Sequence, residues 1–358
     1  MGGAAEVFTA FLRLGLTAFG GPVAHLGHFR RELVARRRWL DDAEYADTVA
    51  LCQSLPGPTS SQVGFAIGLR RAGIAGGVAA WLGFTLPGAA ALGAAGWALA
   101  GVPDGWWTVA VQAVAAAVVA NALLGMARML LPTAAHAALA TAAMVVVFAA
   151  ERAAGDARGL AQPAVIAAGA IVGSLAFRGA APAGPAASSP CPVPRAASAL
   201  AALLFVGALA LPPLAAGAPP VAQAAAACTR AGSLVFGGGH VVLPLLEAPF
   251  ESHGWLEPAQ VTAGYALAQA VPGPLFSMAS YLGAAMGSGD GAWHSAGAAT
   301  LLTAAIFLPG LLLVVAALPA WDRLRAAPGA RAALAGANCA VVGILAAALA
   351  DLALRLLG

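Results

Sequence analysis

The stretch that decides the fold is QSLPGP at residues 53–58, which returns as QAVPGP at residues 269–274. A second motif precedes each copy, since FGGP at residues 19–22 returns as FGGG at residues 236–239. In both copies an arginine lies six residues before the phenylalanine. Two unusual motifs that recur in the same order, about 217 residues apart, indicate an internal duplication.

The duplication extends beyond these motifs. Further matches pair Trp39-Leu40-Asp41 with Trp255-Leu256-Glu257, Pro87-Gly88 with Pro309-Gly310, and Asn121 with Asn338. We therefore predict a first repeat at 1–177, a linker with a connecting transmembrane helix at 178–217, and a second repeat at 218–358.

The composition is that of a membrane protein. Of the 358 residues, 61% are hydrophobic and only 9% are charged, against about 25% charged in soluble domains. The mean hydropathy is +0.84. A membrane-spanning helix needs ~20 mostly apolar residues, and apolar runs near that length occur at 79–100, 107–127, 133–150, 160–177, 197–217, 296–320 and 332–350. We expect an all-α, polytopic protein of the inner (plasma) membrane, surrounded by the lipid bilayer.

Several function classes find no support in the sequence. A net charge of +3 is too weak to indicate nucleic-acid binding. The four cysteines show no CxxC spacing, so no zinc site or disulfide framework is indicated. The apolar segments contain no paired carboxylates, Cys/His pairs or metal-ligand clusters. We therefore expect neither an enzyme nor a cofactor, and any pumping would draw on a gradient.

Charged loops indicate that the two repeats are oppositely oriented. Cytoplasmic loops are enriched in Arg and Lys, whereas acidic residues carry little topological weight. The loop after the first FGG motif holds five arginines within residues 30–38, while its counterpart holds Glu247, Glu251 and Glu257 and no arginine. Farther on the pattern reverses. The loop at 102–107 has no arginine, and its counterpart holds Arg323, Arg325 and Arg331. This reversal predicts an inverted-topology repeat.

The same reasoning predicts broken, re-entrant helices. Arg70 and Arg71 follow the first PGP motif; if they share a side with residues 30–38, then residues 45–69 enter and leave by one face. Proline inside a helix removes a hydrogen bond and breaks the helix. A similar hairpin with Gly20-Gly21 at its tip leaves an odd number of crossings in the first half, which the inversion requires. Those five crossings are expected at 73–101, 107–130, 133–150, 160–177 and 197–217. Kinked spans remain an alternative to hairpins.

Helices broken at mid-membrane favour an anion site. Many secondary transporters with inverted repeats bind substrate at half-helix N-termini, where unpaired N–H groups and a partial positive charge attract anions. Candidate N-termini lie near Pro22, Pro58, His240 and Pro274. Hydroxyl donors follow the two PGP motifs as Thr59, Ser60, Ser61 and Ser277.

Arg13 and Arg230 lie at equivalent positions in apolar stretches. An arginine within the membrane is costly and usually faces a cavity or a partner. Its planar fork of donors suits tetrahedral oxyanions. One arginine from each repeat would neutralise a dianion; alternatively each snorkels to the interface or pairs with a carboxylate such as Glu6.

Other polar candidates are less specific. His25 and His240 follow the FGG motifs at non-equivalent positions and would bind the anion, carry a proton or only line the site. The amide pairs Gln53/Gln269 and Asn121/Asn338 contact substrate or join helices. The glycines and prolines are expected to break helices and allow close backbone approach. These are Gly20, Gly21, Pro22, Pro56, Gly57, Pro58, Gly237, Gly238, Gly239, Pro272, Gly273 and Pro274.

FGGPVAHLGHFRRELV at residues 19–34, FGGGHVVLPLLE at residues 236–247 and the two PGP motifs resemble the chromate ion transporter (CHR) family, in its two-domain form. The resemblance implies export of chromate from the cytoplasm, chromate resistance, and sulfate as the related tetrahedral dianion. It also implies oppositely oriented halves. The second copy departs from the first, with Gly239 where the first has Pro22.

We therefore expect an alternating-access oxyanion carrier. A sulfate or other oxyanion transporter, for which chromate is adventitious, is the nearest alternative. A membrane-embedded enzyme and a non-transporting scaffold or sensor are alternatives of other classes. The sequence leaves open whether export is driven by the membrane potential or by protons, and whether the chain forms a homodimer.

Overall fold

The computed structural model describes residues 3–100, 106–152, 157–177, 193–215, 217–235, 242–321 and 327–357. All regular structure within these ranges is helical, which confirms the predicted all-α class. The helices are α1 (Ala4–Thr17), α2 (Gly21–Phe29), α3 (Asp42–Ser54), α4 (Thr59–Leu99), α5 (Trp106–Leu130), α6 (Ala134–Arg152), α7 (Ala157–Ala176), α8 (Arg195–Leu214), α9 (Pro220–Leu234), α10 (Val242–Ser252), α11 (Pro258–Ala270), α12 (Met278–Met286), α13 (Ala292–Ala317) and α14 (Pro328–Leu357).

Three of the described helices are individually long and apolar enough to cross a membrane. They correspond to Thr59–Leu99, Ala292–Ala320 and Gly329–Asp351. Shorter apolar helices include Ala134–Ala150 and Ala164–Ala176. The five crossings predicted for the first half overlap helices α4 to α8. Of these, α4 has the length and composition of a membrane span, and α6, α7 and α8 contain shorter apolar helices.

The described residues pack into two compact units, and each unit takes segments from both halves of the sequence. The first consists of Met1–Pro103, Ala186–Leu234 and Gly264–Trp321. The second comprises the remainder: Asp104–Pro185, Val235–Ala263 and Asp322–Gly358. Because packing and sequence repeat divide the chain differently, the repeat boundaries stay a prediction from the sequence.

The first unit contains the predicted helix breaks. Residues 18–20, here called the FGG break, separate α1 from α2. Residues 55–58, the first PGP break, separate α3 from α4, and residues 271–274, the second PGP break, separate α11 from the turn that leads into α12. Gly57 and Gly273 have φ values of +128° and +107°, which only glycine adopts without strain.

Contacts at one face of the first unit show that the first two breaks are the tips of hairpins. Glu6, near the start of α1, forms an ion pair with Arg71, with 3.3 Å between Glu6 Oε2 and Arg71 NH2. The guanidinium groups of Arg71 and Arg37 lie 5.1 and 5.4 Å from the ring of Trp39. The start of α1 therefore shares a face with the chain that follows α2 and with the end of the first α4 segment. The chain thus reverses at both breaks, as the predicted hairpins require, and their re-entry into the membrane stays a prediction.

Helix α4 is two antiparallel segments. Ala72 and Gly73 have non-helical backbone angles and reverse the chain. Gly68 then lies against Gly76, and Phe65 lies against Gly77. The absence of side chains at these glycines lets the two backbones approach closely. The second copy repeats the design with α12 and α13, where Ser295 Oγ donates to Ala284 O at 2.8 Å.

The matching helices run in opposite directions. The second α4 segment starts next to Arg71 and runs away from the face that holds Trp39. Its counterpart α13 leads to Trp321, whose Nε1 donates to Asp47 Oδ1 at 2.9 Å. Asp47 lies near the middle of α3, whose first residue, Asp42, pairs with Arg30. The opposite directions of α13 and the second α4 segment agree with the inversion predicted from loop charges.

The second unit is built around α14, which packs against α5, α6 and α7. Small residues bring the backbones together, with Gly336 against Gly169 and Gly173. Arg152 NH2 donates to Asp351 Oδ1 at 3.2 Å at the end of this bundle. Such close glycine contacts are typical of helices that associate in lipid.

Candidate functional site

The first PGP break packs against a helix of the other half. Gln62 Nε2 donates to Pro56 O at 2.8 Å and to Gly310 O at 3.1 Å. A Cβ on Gly310 would lie 2.8 Å from Pro58 Cδ. The break therefore rests directly on the Pro309-Gly310 step of α13.

The second PGP break makes the reciprocal contact. A Cβ on Gly88, in the Pro-Gly step of α4, would lie 2.9 Å from Pro272 O. Gly273 N–H donates to Ala18 O, in the FGG break, at 3.1 Å. Each PGP break thus contacts the Pro-Gly step of the long helix in the opposite half. The first PGP break therefore contacts the second half of the chain, and the second PGP break contacts the first half.

Hydroxyl groups stand at the helix starts that follow the two PGP breaks. Ser61 and Ser277 are equivalent, each being the third residue after the last proline of its break. They are 1% and 0% exposed, and neither Oγ has a hydrogen-bond partner among the described residues. Ser277 is the N-cap of α12, but its side chain does not cap the helix. Two buried hydroxyls thus lie at the helix starts after the two breaks, although the backbone N–H groups of Ser277 and Met278 are already paired within the turn before α12.

Thr59 and Ser60, also predicted from sequence, are buried in the first turn of α4. Ser60 Oγ lies 3.4 Å from His25 Nδ1. His25 is 1% exposed and packs edge-on against Phe84, with 5.3 Å between ring centroids. The structure therefore brings His25 of the first hairpin to the helix start that follows the first PGP break.

The two candidate arginines have different surroundings. The Arg13 side chain is exposed on the surface of α1. Arg230 is half-buried on α9, in a stretch where Thr229 and Ser233 are buried. The predicted partner of Arg13, Glu6, pairs instead with Arg71. A joint role of Arg13 and Arg230 in charge compensation stays a prediction.

The two glutamines predicted as an equivalent pair, Gln53 and Gln269, also differ in burial. Gln53 is exposed at the end of α3, whereas Gln269 is half-buried and hydrogen-bonds the hydroxyl of Tyr265. The buried amide at the first PGP break is Gln62, which is 0% exposed. Sequence reasoning missed Gln62, although a glutamine in the first turn after a PGP motif is itself a signal of a polar break.

The remaining predicted residues lie apart from the breaks or outside the described chain. Asn121 and Asn338 belong to the second unit, where Asn121 is exposed and Asn338 half-buried. Gly20 and Gly21 start α2 with φ values of +97° and +76°, and Pro22 follows them in its first turn. The second FGG motif, with Gly237, Gly238, Gly239 and His240, lies outside the described residues.

The described part of the chain contains no group of three or more His, Cys, Asp or Glu side chains that would hold a metal ion. Chemically, the breaks of the first unit offer hydroxyl and backbone N–H donors together with His25. Such a set suits a ligand that accepts hydrogen bonds on several sides. The Nε2 of Gln62 is already used by Pro56 O and Gly310 O, and its buried Oε1, an acceptor, has no partner among the described residues.

Comparison with known proteins gives consistent matches. A family model described as "Chromate transporter" matches residues 5–174 and 222–357, two regions that fit the repeat pattern. The chain is 30% identical over 369 residues to a chromate transport protein of Pseudomonas aeruginosa, covering 97% of this chain and 80% of that protein. A probable chromate transport protein of Synechococcus elongatus and a chromate transport protein of Cupriavidus metallidurans are each 41% identical over 88 residues, which cover 25% of this chain and 22% of each relative. No solved structure matches the chain.

Proposed function

Since this chain belongs to the chromate transporter family and is a multi-pass protein of the inner membrane, we propose that it exports chromate from the cytoplasm by alternating access. Family membership confirms the resemblance seen in the FGG and PGP motifs. Beyond family membership, we propose the substrate of this chain, the direction of transport and the residues that hold the ion.

One observation supports the proposed site above all others. Ser61 and Ser277 are buried hydroxyls without described partners, at equivalent positions in the two halves. A buried hydroxyl left unpaired costs about 1–3 kcal/mol, so such groups are rare unless a ligand or water satisfies them. Chromate presents only acceptor oxygens. The two serines and the N–H groups of the adjoining helix starts would donate to it.

The exchanged contacts support an alternating-access mechanism. Each PGP break rests on the Pro-Gly step of the opposite half, at Gly310 and at Gly88. Because the halves are inverted, exchanging their conformations would open the same breaks to the other side of the membrane. Gln62 holds only the first break, since the equivalent position in the second half is Met278. The two states would therefore differ in energy.

Charge compensation is proposed to come mainly from the helix starts. Arg230 is half-buried and is the stronger arginine candidate, whereas the exposure of Arg13 favours a role in attracting anions rather than in holding one. An inside-negative potential favours anion export by about 2.3 kcal/mol per charge per 100 mV. A dianion would thus gain about 4.6 kcal/mol per 100 mV without a coupled ion.

Uptake of labelled chromate into everted membrane vesicles tests the proposal. We expect wild-type vesicles to accumulate chromate, and the Ser61→Ala and Ser277→Ala variants to show a KM raised at least about tenfold. Ser233→Ala is the matched control, because the buried Ser233 hydroxyl already donates to Thr229 O. Arg230→Ala and Arg13→Ala are compared at equal expression. This comparison distinguishes an arginine that binds the ion, proposed for Arg230, from one that only attracts anions, proposed for Arg13.

The vesicle measurements distinguish the proposed site and substrate from their alternatives. Accumulation that is unchanged by both serine substitutions would contradict the site. Absence of chromate uptake in wild-type vesicles, with uptake of sulfate under the same gradient, would establish the sulfate alternative. Competition of chromate uptake by excess sulfate is expected because both ions are tetrahedral dianions.

A further inference from the structure

One face of α4 carries more polar groups than its packing uses. Trp81, Thr85 and Gly88 follow each other at helical spacings of four and three residues, so they share a face. That face packs against the second half of the chain. The ring of Trp81 lies 5.9 Å from that of Phe307, and a Cβ on Gly88 would lie 3.7 Å from Ser277 Oγ.

The polar atoms on this face lack partners. Trp81 Nε1 and Thr85 Oγ1 are both buried, and each is without a hydrogen-bond partner in the described part of the chain. The same holds for Ser277 Oγ opposite Gly88. The indole N–H donates and never accepts, while hydroxyls donate or accept. An acceptor-only ligand would therefore satisfy all three groups.

Thr85 departs from the behaviour of threonines elsewhere in the first unit. Thr229, Thr300 and Thr303 each donate to the carbonyl four residues earlier, at 2.9, 2.8 and 2.7 Å. This bond is the usual way for a helical threonine to satisfy its hydroxyl. Thr85 is only 3% exposed and makes no such bond. Its hydroxyl therefore makes no hydrogen bond to its own helix.

We infer that Trp81 and Thr85 are additional substrate-contacting residues, which form with Ser277 a row of neutral donors for a fully deprotonated tetrahedral oxyanion. The assignment rests on the proposed function for the nature of the ion, and adds residues that neither sequence motif contains. Within the described residues, the counterpart helix α13 does not repeat this row. When Pro87 is aligned with Pro309, the equivalents of Trp81 and Thr85 are Thr303, whose hydroxyl is satisfied, and Phe307, which has none.

A row of neutral donors also predicts selectivity. Chromate and sulfate as dianions offer acceptors on every oxygen, whereas phosphate near neutral pH carries at least one proton that would need an acceptor. A site that leaves a ligand proton or a protein donor unpaired loses affinity steeply. Because the Thr85 and Ser277 hydroxyls also accept hydrogen bonds and only the Trp81 N–H is donor-only, phosphate is expected to bind more weakly than sulfate but not to be excluded.

The test uses Trp81→Phe and Thr85→Val in the full-length protein purified in detergent. Phenylalanine keeps the ring against Phe307, and valine keeps the shape of threonine, so each change removes a donor. Trp97→Phe on the same helix, where Trp97 is 53% exposed, and Thr303→Val are the matched controls. Two readouts are compared: thermal stabilisation by added chromate, sulfate or phosphate, and the KM for chromate in vesicles.

We expect each donor variant to weaken chromate and sulfate binding and raise the KM about tenfold, and the double variant to lose more than either. The melting temperature without added anion should hold or rise, since an unpaired buried donor is removed. Unchanged anion affinity in the double variant, or a lowered melting temperature with unchanged affinity, would overturn the assignment and mark a structural role.

Failure of this assignment and failure of the proposed function have different signatures. If Ser61→Ala and Ser277→Ala abolish chromate binding while Trp81→Phe and Thr85→Val do not, the proposed function is supported and the roles of Trp81 and Thr85 are refuted. If sulfate binding depends on Trp81 and Thr85 but chromate is neither bound nor transported, the roles of Trp81 and Thr85 are supported and the chromate proposal is refuted.

Discussion

Replacing Gly310 with alanine perturbs the contact between α13 and the first PGP break. The new Cβ would lie 2.8 Å from Pro58 Cδ and 3.3 Å from both Gln62 Nε2 and Gly57 Cα. Carbon atoms in contact prefer about 3.5–4.0 Å, so the break must move by about 1 Å. Overpacking of this kind costs about 1–3 kcal/mol.

Alanine also favours the helix over glycine by about 1 kcal/mol, so the net change in stability is about 0–2 kcal/mol. The Gly310→Ala protein should therefore still fold, while the displaced PGP break would no longer position the groups that bind the ion. We expect Gly310→Ala to reach the membrane at normal levels and to lose at least about tenfold in chromate uptake. Gly88→Ala, whose Cβ would lie 2.9 Å from Pro272 O, should behave alike.

Gly297→Ala is the matched control on the same helix, because a Cβ at Gly297 meets no atom within 4 Å. It should transport at the wild-type rate and melt at the same or a higher temperature. Uptake in everted vesicles, normalised to protein detected in the membrane, compares the three variants. Equal transport by Gly310→Ala and Gly297→Ala would refute the claim that the break and α13 act together.

Two further predictions concern Gln62 and Glu32. Gln62→Leu leaves the carbonyls it bridges unpaired and should lower the melting temperature and uptake, whereas Gln53→Leu, at an exposed position, should change neither; equal melting temperatures would contradict the bridge. Burial alone would raise the pKa of Glu32, but hydrogen bonds from Arg37 and Arg36 lower it below the usual 4.5. Its contribution to stability is therefore present above about pH 4.5 and lost as the pH falls further. The difference in melting temperature between wild type and Glu32→Gln should shrink with acidification, and a constant difference would exclude this ion pair as its source.

The helix breaks and the inversion were predictable from sequence because their causes are local. Proline removes a backbone donor wherever it falls, so Pro56 and Pro272 mark breaks without knowledge of the fold. Loop arginines report the side of the membrane independently of packing. The contact of Trp321 with Asp47 agrees with that charge pattern.

The lining of the site was less predictable because it depends on packing between distant segments. A repeat shows that Gln53 and Gln269 are equivalent, but not which side of each helix faces the protein. Gln53 is exposed, and the buried amide is Gln62. Trp81 and Thr85 acquire their significance only from Phe307 and Ser277, about 200 residues away in the sequence. The interleaving of the halves in the first unit likewise follows from tertiary contacts.

The central claim is that the two PGP breaks contribute to one oxyanion site. Equilibrium binding of labelled chromate to the purified protein tests this most directly, in wild type and in Ser61→Ala, Ser277→Ala and the double variant. We expect one ion per chain and weaker binding when either serine is replaced. Two independent ions per chain, each sensitive to a single serine, or binding that ignores both serines, would contradict it.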